Sequence, residues 1–275
     1  MTQQQLLHQQ PQLRLQQRIK IYLINSLFLK INFKKSGFFL ATLFLFLILS
    51  NLVLAYNETK VTSRNLYGVP GLVDMPVAGS FRDGELNFSS SKTDKNLRNT
   101  IGFQALPFVY GAFRYSGIGD KQNYYIDSGY TTWDRSFDLR LDLLKEKKFM
   151  PDVTLGFQDI IGTGIYSTEY LVASKSFFET FRTSLGLGWG RLGTGNQLRK
   201  NSLRPQNTGG KKGGLLRYKQ LFKGDIGLFG GVEYLTPLEK LKLKIEISSD
   251  TYEDETYLIN ALPSSQINYG LDYEL

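Results

Sequence analysis

The stretch LEKLKLKIEIS, residues 238–248, indicates the fold class of this chain because apolar and polar side chains alternate along it. Leu241, Leu243, Ile245 and Ile247 are apolar, and the residues between them are lysine or glutamate. Successive side chains of a β-strand point to opposite faces, so the segment predicts a strand with one apolar and one charged face. Such a strand belongs either to a soluble sheet with an apolar core or to an outer-membrane barrel with an apolar exterior.

The same alternation recurs along most of the chain after Glu85. Residues 136–143, for example, place one phenylalanine and three leucines on one face and serine, arginine and two aspartates on the other. No segment after Tyr56 has a convincing long helical period, so we predict an all-β protein. The predicted strands are 85–93, 98–106, 108–116, 134–144, 152–161, 167–176, 180–193, 215–222, 225–235, 240–249 and 267–275.

Three features of these segments favour a membrane barrel over a soluble sandwich. The polar face carries glycine, serine and threonine as well as charges, and several segments reach about ten residues, the length of a tilted membrane strand. Tyrosine and tryptophan recur near strand ends, as in interfacial girdles, at Tyr110, Tyr115, Tyr130, Trp133, Tyr166, Tyr170, Trp189 and Tyr234. We therefore predict an antiparallel transmembrane β-barrel of about 10–12 strands, complete or incomplete.

Eleven predicted strands make an odd count, whereas bacterial barrels of one chain have an even number. Either one strand is wrongly assigned or the chain forms part of a longer barrel. With alternating direction, the predicted external joints are 94–97, 117–133, 162–166, 194–214 and 236–239. The predicted internal joints are the one near 107 and those at 145–151, 177–179, 223–224 and 250–266. The long internal joint at 250–266 does not fit the rule that long loops lie outside.

The N-terminal region is typical of an export signal. Lys34 and Lys35 precede an apolar run from Phe38 to Leu49, and Val53-Leu54-Ala55 resembles a cleavage site. An uncleaved membrane anchor is the alternative, because the apolar run is nearly long enough to span a bilayer. A lipid-anchored mature end is excluded, since it needs a cysteine at the cut. The predicted organisation is a signal peptide at 1–55, a periplasmic segment at 56–84 and an outer-membrane barrel at 85–275.

Composition excludes several kinds of function. Residues 1–55 hold six of the 33 basic residues and none of the 25 acidic ones, which leaves 27 basic against 25 acidic residues, a net charge of +2. The overall charge of +8 is therefore no argument for nucleic-acid binding. The chain has no cysteine and one histidine, His8, so serine–histidine, cysteine–histidine and histidine–zinc chemistry are excluded from the mature chain.

Carboxylate pairs are the remaining candidates for catalysis: Asp138 with Asp142, or Asp159 with Glu169. The favoured interpretation is that Asp138, Arg140 and Asp142 are lumen charges paired across strands, so no catalytic, cofactor or metal residue is predicted. The candidate lumen or polysaccharide contacts are Asp138, Arg140, Asp142, Lys242, Lys244, Glu246, Arg199, Lys200, Lys211 and Lys212. The last four lie in or near a basic loop that is either an anion contact or simply solvated.

A family resemblance begins in the stretch NLYGVPGLVDMPVA, residues 65–78, which is followed by Asp-Gly-Glu-Leu at 83–86. With residues 136–138, 166–175, 185–190 and 267–273, it resembles the YjbH-like exopolysaccharide biosynthesis proteins of Gram-negative bacteria. The resemblance implies an outer-membrane β-barrel protein encoded with exopolysaccharide or capsule assembly machinery. Family members are usually much longer, which suggests an N-terminal fragment or a shortened relative.

The predicted function is a non-catalytic outer-membrane component of exopolysaccharide or capsule biosynthesis or export. The expected partners are outer-membrane lipid, exopolysaccharide and other polysaccharide-assembly proteins, with no nucleic acid and no cofactor. Two alternatives stay open: a general outer-membrane porin and, less favoured, a carboxylate-based enzyme that processes polysaccharide.

Overall fold

The computed structural model describes residues 63–93, 96–119, 130–178, 180–200, 202–205, 214–216, 218–238, 240–253 and 265–274. The predicted signal peptide at 1–55, its cleavage site, and two of the candidate contacts, Lys211 and Lys212, lie outside these residues. Among the described residues, no helix has the length and apolar composition needed to cross a bilayer.

The described chain forms β-strands joined by turns and loops, as the alternation predicts. The strands are β1 (Leu86–Thr93), β2 (Asn96–Leu106), β3 (Val109–Gly119), β4 (Tyr130–Leu144), β5 (Asp152–Gly162), β6 (Thr168–Phe177), β7 (Phe181–Gly190), β8 (Gln197–Arg199), β9 (Leu215–Leu216), β10 (Ile226–Leu235), β11 (Leu241–Ile247) and β12 (Ile267–Tyr273). One short 3₁₀ helix, Arg191–Gly193, follows β7.

All of these strands belong to one 12-stranded antiparallel sheet. Its order is β1-β2-β3-β4-β5-β6-β7-β10-β11-β12, with β8 paired to β10 and β9 paired to β5. Neighbours in sequence are therefore neighbours in space, as in an up-and-down meander. Within the described part of the chain, β1 pairs only with β2 and β12 only with β11, so the sheet is not closed into a barrel.

The predicted strand at 215–222 is wrong, and this error explains the odd strand count. Only Leu215–Leu216 pairs as a strand, with β5. The turn that follows is bound to β6, because the Phe222 N–H donates to a carboxylate oxygen of Glu169, 3.1 Å away. The short strand β8 was not predicted from the sequence. Since β7 pairs directly with β10, residues 191–225 form a single connection between neighbouring strands.

This correction reverses the predicted direction of every later joint. The turn at 236–240 joins the end of the sheet that carries the short connections at 107–108, 145–151 and 178–180. The strand ends that flank residues 248–266 are at the opposite end, as are those that flank residues 120–129 and 191–225. All the long connections therefore emerge from one end of the sheet, which we call the long-loop end; the other is the short-turn end.

The two faces of the sheet have the reverse of the usual polarity. Leu243 and Ile245 in β11 are 42% and 51% exposed, whereas Lys244 and Glu246 between them are 5% and 0% exposed. Exposed apolar side chains occur on strands across the sheet, among them Leu86, Phe88, Ile101, Phe103, Phe137, Leu171, Leu185, Val232, Leu271 and Tyr273. We call the two surfaces the apolar face and the buried face.

The buried face is covered by the inner segment, defined here as residues 63–84. Each hydrophobic cluster of the described residues joins this segment to the sheet. Val69, Leu72, Val77 and Phe81 pack with Tyr110 and Ala112; Met75 and Ala78 pack with Tyr170, Val172, Leu192 and Phe229; Tyr67 packs with Ile118 and Tyr166. The part of the predicted periplasmic segment that the structure describes therefore lies against the sheet, and its compartment stays a prediction.

The same packing corrects part of the predicted aromatic girdle. Tyr110, Tyr166 and Tyr170 are at most 2% exposed and lie among the clusters beneath the inner segment. Trp133 is exposed on the apolar face, where its ring stacks on Tyr115 at 4.8 Å between centroids. A tyrosine near a strand end can point to either face, so position along the strand alone did not separate the two groups.

The inner segment packs closely against the sheet at Gly68. Its φ of +79° favours glycine, and a Cβ there would lie 2.5 Å from the Thr100 Cβ. Gly84 has a similar φ of +73° but open space around its Cβ position. We expect Gly84→Ala to cost about 1 kcal/mol from backbone strain, and Gly68→Ala to cost a further ~1–3 kcal/mol from overpacking. Urea unfolding of the two variants measures the difference; equal midpoints would contradict the close approach.

Candidate functional site

The most extensive polar site of the described chain is the contact between the buried face and the backbone of the inner segment. This backbone is irregular, so its N–H and C=O groups need partners from outside the segment. Charged and hydroxyl side chains of the sheet supply many of them. Thr100, Thr154 and Ser174, for example, bond to Tyr67 O, Gly79 N and Ala78 N at 2.8–3.0 Å.

Glu246 of β11 binds three consecutive backbone N–H groups. Its carboxylate oxygens accept from Val73, Asp74 and Met75 at 2.9–3.0 Å, and from the Asn268 side chain at 2.9 Å. A carboxylate that accepts several N–H bonds forms strong charge-assisted hydrogen bonds. The alternation of 238–248 predicted that Glu246 faces inward, but its ligand is the protein's own backbone.

Arg140 of β4 binds the opposite kind of group, the carbonyl oxygens of the same segment. Its Nη2 donates to Val77 O at 2.6 Å and to Gly79 O at 3.2 Å, and its Nη1 donates to Pro70 O at 3.3 Å. Nη1 also donates to the Tyr170 hydroxyl at 2.7 Å. Two side chains of opposite charge, Arg140 of β4 and Glu246 of β11, thus bind the backbone of residues 70–79.

The predicted pairing of the β4 charges across strands holds for one of the three. Asp138 forms a two-pronged ion pair with Arg114 of β3, at 2.7 and 3.2 Å, and both side chains are fully buried. Asp142 instead bonds to Lys145 three residues later and to the Thr154 hydroxyl. Arg140 binds carbonyl oxygens, so its expected pairing with a carboxylate is wrong.

Lys242 and Lys244 approach the start of the inner segment from β11. Lys244 Nζ donates to Leu72 O at 3.2 Å and lies 3.3 Å from the Asp272 carboxylate of β12. Ser63 Oγ lies 2.6 Å from a carboxylate oxygen of Glu233 and 2.9 Å from one of Asp272, so its hydroxyl can donate to either, and Lys242 Nζ donates to it at 3.4 Å. These contacts connect the segment to three adjacent strands.

A second charged cluster lies at the short-turn end. The Glu146 carboxylate accepts from Lys175, Arg182 and the Ser176 N–H and hydroxyl at 3.0–3.3 Å. Burial alone would raise the pKa of the Glu146 carboxyl, but these bonds and the Arg182 charge outweigh it and lower the pKa. Arg182 also donates to Asp152 at 2.6 Å and to Ala78 O at 3.1 Å, which connects the cluster to the inner segment.

Ion pairs also organise the long-loop end. Arg204 holds the Glu169 carboxylate with two bonds, at 2.8 and 2.9 Å, and Arg191 pairs with Asp250 at 2.5 Å. Burial of Tyr252, together with the charge of its hydrogen-bonded neighbour Asp74, raises the pKa of its hydroxyl. The long connections therefore reach back to the same buried core as the inner segment.

The predicted contacts fall into two sets that the structure does not bring together. Asp138, Arg140, Asp142, Lys242, Lys244 and Glu246 lie on the face covered by the inner segment. Arg199 and Lys200, by contrast, are exposed in or next to β8 at the long-loop end. Sequence reasoning missed Arg114 and the hydroxyls of Thr154 and Ser174, although each stands at a polar position of an alternating segment.

Three of the four carboxylates considered for catalysis form ion pairs: Asp138 with Arg114, Asp142 with Lys145, and Glu169 with Arg204. The fourth, Asp159, accepts the Tyr166 N–H at 3.2 Å through one carboxylate oxygen and is in no ion pair among the described residues. Within the described residues, no three or more His, Cys, Asp or Glu side chains form a group that could hold a metal ion. Charged side chains of this site bind the peptide backbone of the inner segment.

Comparison with known proteins adds an independent finding. Residues 63–275 match the model of the YjbH family, described as exopolysaccharide biosynthesis protein YbjH. An Escherichia coli (strain K12) protein named uncharacterized lipoprotein YjbH is 34% identical over 223 residues, which cover 78% of this chain and 32% of the relative. The chain thus spans about a third of the length of this relative. No solved structure matches this chain.

Proposed function

Because the chain belongs to the YjbH exopolysaccharide biosynthesis protein family, we propose that its sheet is part of an outer-membrane β-barrel that serves exopolysaccharide assembly or export without catalysing a reaction. The observation that carries the proposal is the reversed polarity of the sheet. A sheet whose exposed face is apolar and whose covered face is charged fits a lipid exterior and an aqueous interior.

The distribution of the connections supports a membrane orientation. Barrels of the outer membrane have short periplasmic turns and longer extracellular loops. The connections at 120–129, 191–225 and 248–266 leave one end of the sheet, and those at 107–108, 145–151, 178–180 and 236–240 leave the other. We assign the long-loop end to the cell exterior and the short-turn end to the periplasm.

Exposed aromatic pairs near both ends give further support. Tyr115 stacks with Trp133 toward the long-loop end, and Phe181 stacks with Tyr234 toward the short-turn end at 4.9 Å between centroids. Aromatic rings are enriched at the two interfaces of a bilayer, where one part of the ring is in lipid and another meets polar groups. The two pairs delimit an apolar band between them.

Insertion in lipid requires that the edges of β1 and β12 find partners. An unpaired backbone N–H or C=O in hydrocarbon costs several kcal/mol, so open edges do not occur there. We therefore propose that both edges are paired in the membrane. The name of the E. coli relative, a lipoprotein, supports a location in the cell envelope.

A deletion strain of the source bacterium tests this function. We expect deletion of the gene to reduce or alter surface polysaccharide, and the wild-type gene to restore it. In the complemented strain, the protein is expected in the outer-membrane fraction and is expected to resist extraction with urea. Unchanged polysaccharide with reduced uptake of small solutes would favour the general porin instead.

Carboxylate variants separate the structural role from an enzymatic one. Asp159→Asn and Glu169→Gln keep the shape of each side chain and remove its charge. We expect both to restore surface polysaccharide when their protein levels equal that of the wild type. Cleavage of polysaccharide by purified protein, abolished by either variant, would overturn the non-catalytic proposal.

A further inference from the structure

The inner segment leaves little of the buried face open to water. On that face Arg114, Glu246, Thr100, Ser174 and Arg140 are all between 0% and 2% exposed. Polar side chains that line a water-filled channel would be accessible to solvent. The described conformation is therefore closed where residues 63–84 cover the sheet.

Many charges of the buried face have an opposite charge outside the inner segment as a partner, although Arg182 and Lys244 also bond to the segment. The ion pairs are Arg114–Asp138, Lys145–Asp142, Arg182–Asp152, Arg204–Glu169, Arg191–Asp250 and Lys244–Asp272. Each of these pairs joins two side chains outside residues 63–84. Without the segment, this face would be an ion-paired surface that water can wet.

Arg140 and Glu246 depend on the inner segment for most of their partners. Among the described residues, neither lies within 4.0 Å of an opposite charge. Arg140 has three carbonyl oxygens of the segment as partners, and Glu246 has three of its N–H groups. A buried charge is costly without partners, so these two residues favour the state in which the segment is in place.

We propose that residues 63–84 are a resident plug, latched by Arg140 and Glu246, and that their displacement opens the interior to a hydrophilic polymer. This inference rests on the proposed function, because it assumes a membrane barrel with an aqueous interior. Water can replace the backbone partners of both latch residues once the segment leaves, so the open state keeps its charges hydrated. Arg140 and Glu246 therefore set the equilibrium between the closed state, with the segment against the sheet, and the open state, with the segment displaced.

Conductance across a planar lipid bilayer measures the opening of the plug. We expect the purified full chain to conduct little and Glu246→Gln to raise the open fraction about tenfold or more, because the amide loses the charge that binds three N–H groups. Glu253→Gln removes a carboxylate charge from an exposed loop position and is the matched control, with conductance equal to wild type. Arg140→Lys, which keeps the charge and has fewer donors, is the second variant if Glu246→Gln does not fold.

An engineered disulfide isolates movement of the plug from other effects of the latch variants. The chain has no cysteine, and Ser174 Oγ lies 2.8 Å from Ala78 N, so Ala78→Cys with Ser174→Cys places two thiols across the plug–sheet contact. In the Glu246→Gln background, oxidation is expected to abolish the added conductance. Reduction is expected to restore it.

The outcomes distinguish a wrong plug proposal from a wrong proposal of membrane insertion. Folded latch variants that insert in lipid but conduct no more than wild type would overturn the plug. Added conductance that survives the disulfide would do so as well. Failure of the wild-type protein to insert, measured by its flotation with liposomes, would overturn the proposed function and the plug with it.

Discussion

Ile245→Arg is expected to prevent most of the protein from assembling in the outer membrane. Ile245 lies near the middle of β11 on the apolar face, is 51% exposed, and is opposite Val232, two residues inside the aromatic pair of Phe181 and Tyr234. An arginine on the lipid-facing side of a barrel costs about 2–4 kcal/mol near the bilayer midplane. The same change at an exposed position of a soluble protein usually alters stability by less than about 0.5 kcal/mol.

Leu238→Arg is the matched control for this prediction. Leu238 is 67% exposed, more than Ile245, but lies in the turn at 236–240 at the short-turn end. We expect its outer-membrane yield to stay near that of wild type, because an arginine there reaches water. Quantitative immunoblots of protease-resistant protein in outer-membrane fractions measure both variants. Equal yields would indicate that the apolar face is covered by something other than lipid.

Asp138→Asn is expected to destabilise the protein by about 3–5 kcal/mol, because it leaves the buried guanidinium of Arg114 without its counter-charge. Both side chains of this ion pair are 0% exposed, and Asp138 also accepts the Asp159 N–H at 2.9 Å. Asparagine can still accept that N–H but cannot neutralise the arginine. This variant is therefore a test of stability and is unsuitable as a test of catalysis.

Urea unfolding of purified protein, followed by circular dichroism, measures this effect. Asp83→Asn removes a charge from an exposed turn and is expected to unfold at the wild-type midpoint. Arg114→Met combined with Asp138→Asn removes both charges and should recover part of the lost stability. If Asp138→Asn unfolds like Asp83→Asn, the arginine is neutralised by another group and the ion pair contributes little.

The strands of the sheet could be predicted from the sequence because their signal is local. In β11, each side chain is assigned to a face by its own position, and Lys244 and Glu246 point inward as the alternation requires. A period of two residues needs no knowledge of the partner strand. The family resemblance was equally readable, since residues 65–78 carry it in one stretch, and the family model confirms it.

The failures at 215–222 and in the later joints have a different cause. A short polar–apolar segment becomes a strand only if a neighbouring edge is free to pair with it. β10 already occupies the edge of β7, and Glu169 binds the backbone at Phe222, so the segment turns away after Leu216. One false strand then inverted every subsequent joint.

By itself the sequence determined the strands of the main sheet path, their two faces and the absence of cysteine. Only the tertiary structure decided that residues 63–84 lie against the charged face and that the described sheet stays open between β1 and β12. The partners of the segment are distant in sequence: Glu246 and Val73 are separated by 173 residues. An irregular segment has no periodicity to read, because its conformation is set by the side chains that satisfy its backbone and not by its own pattern.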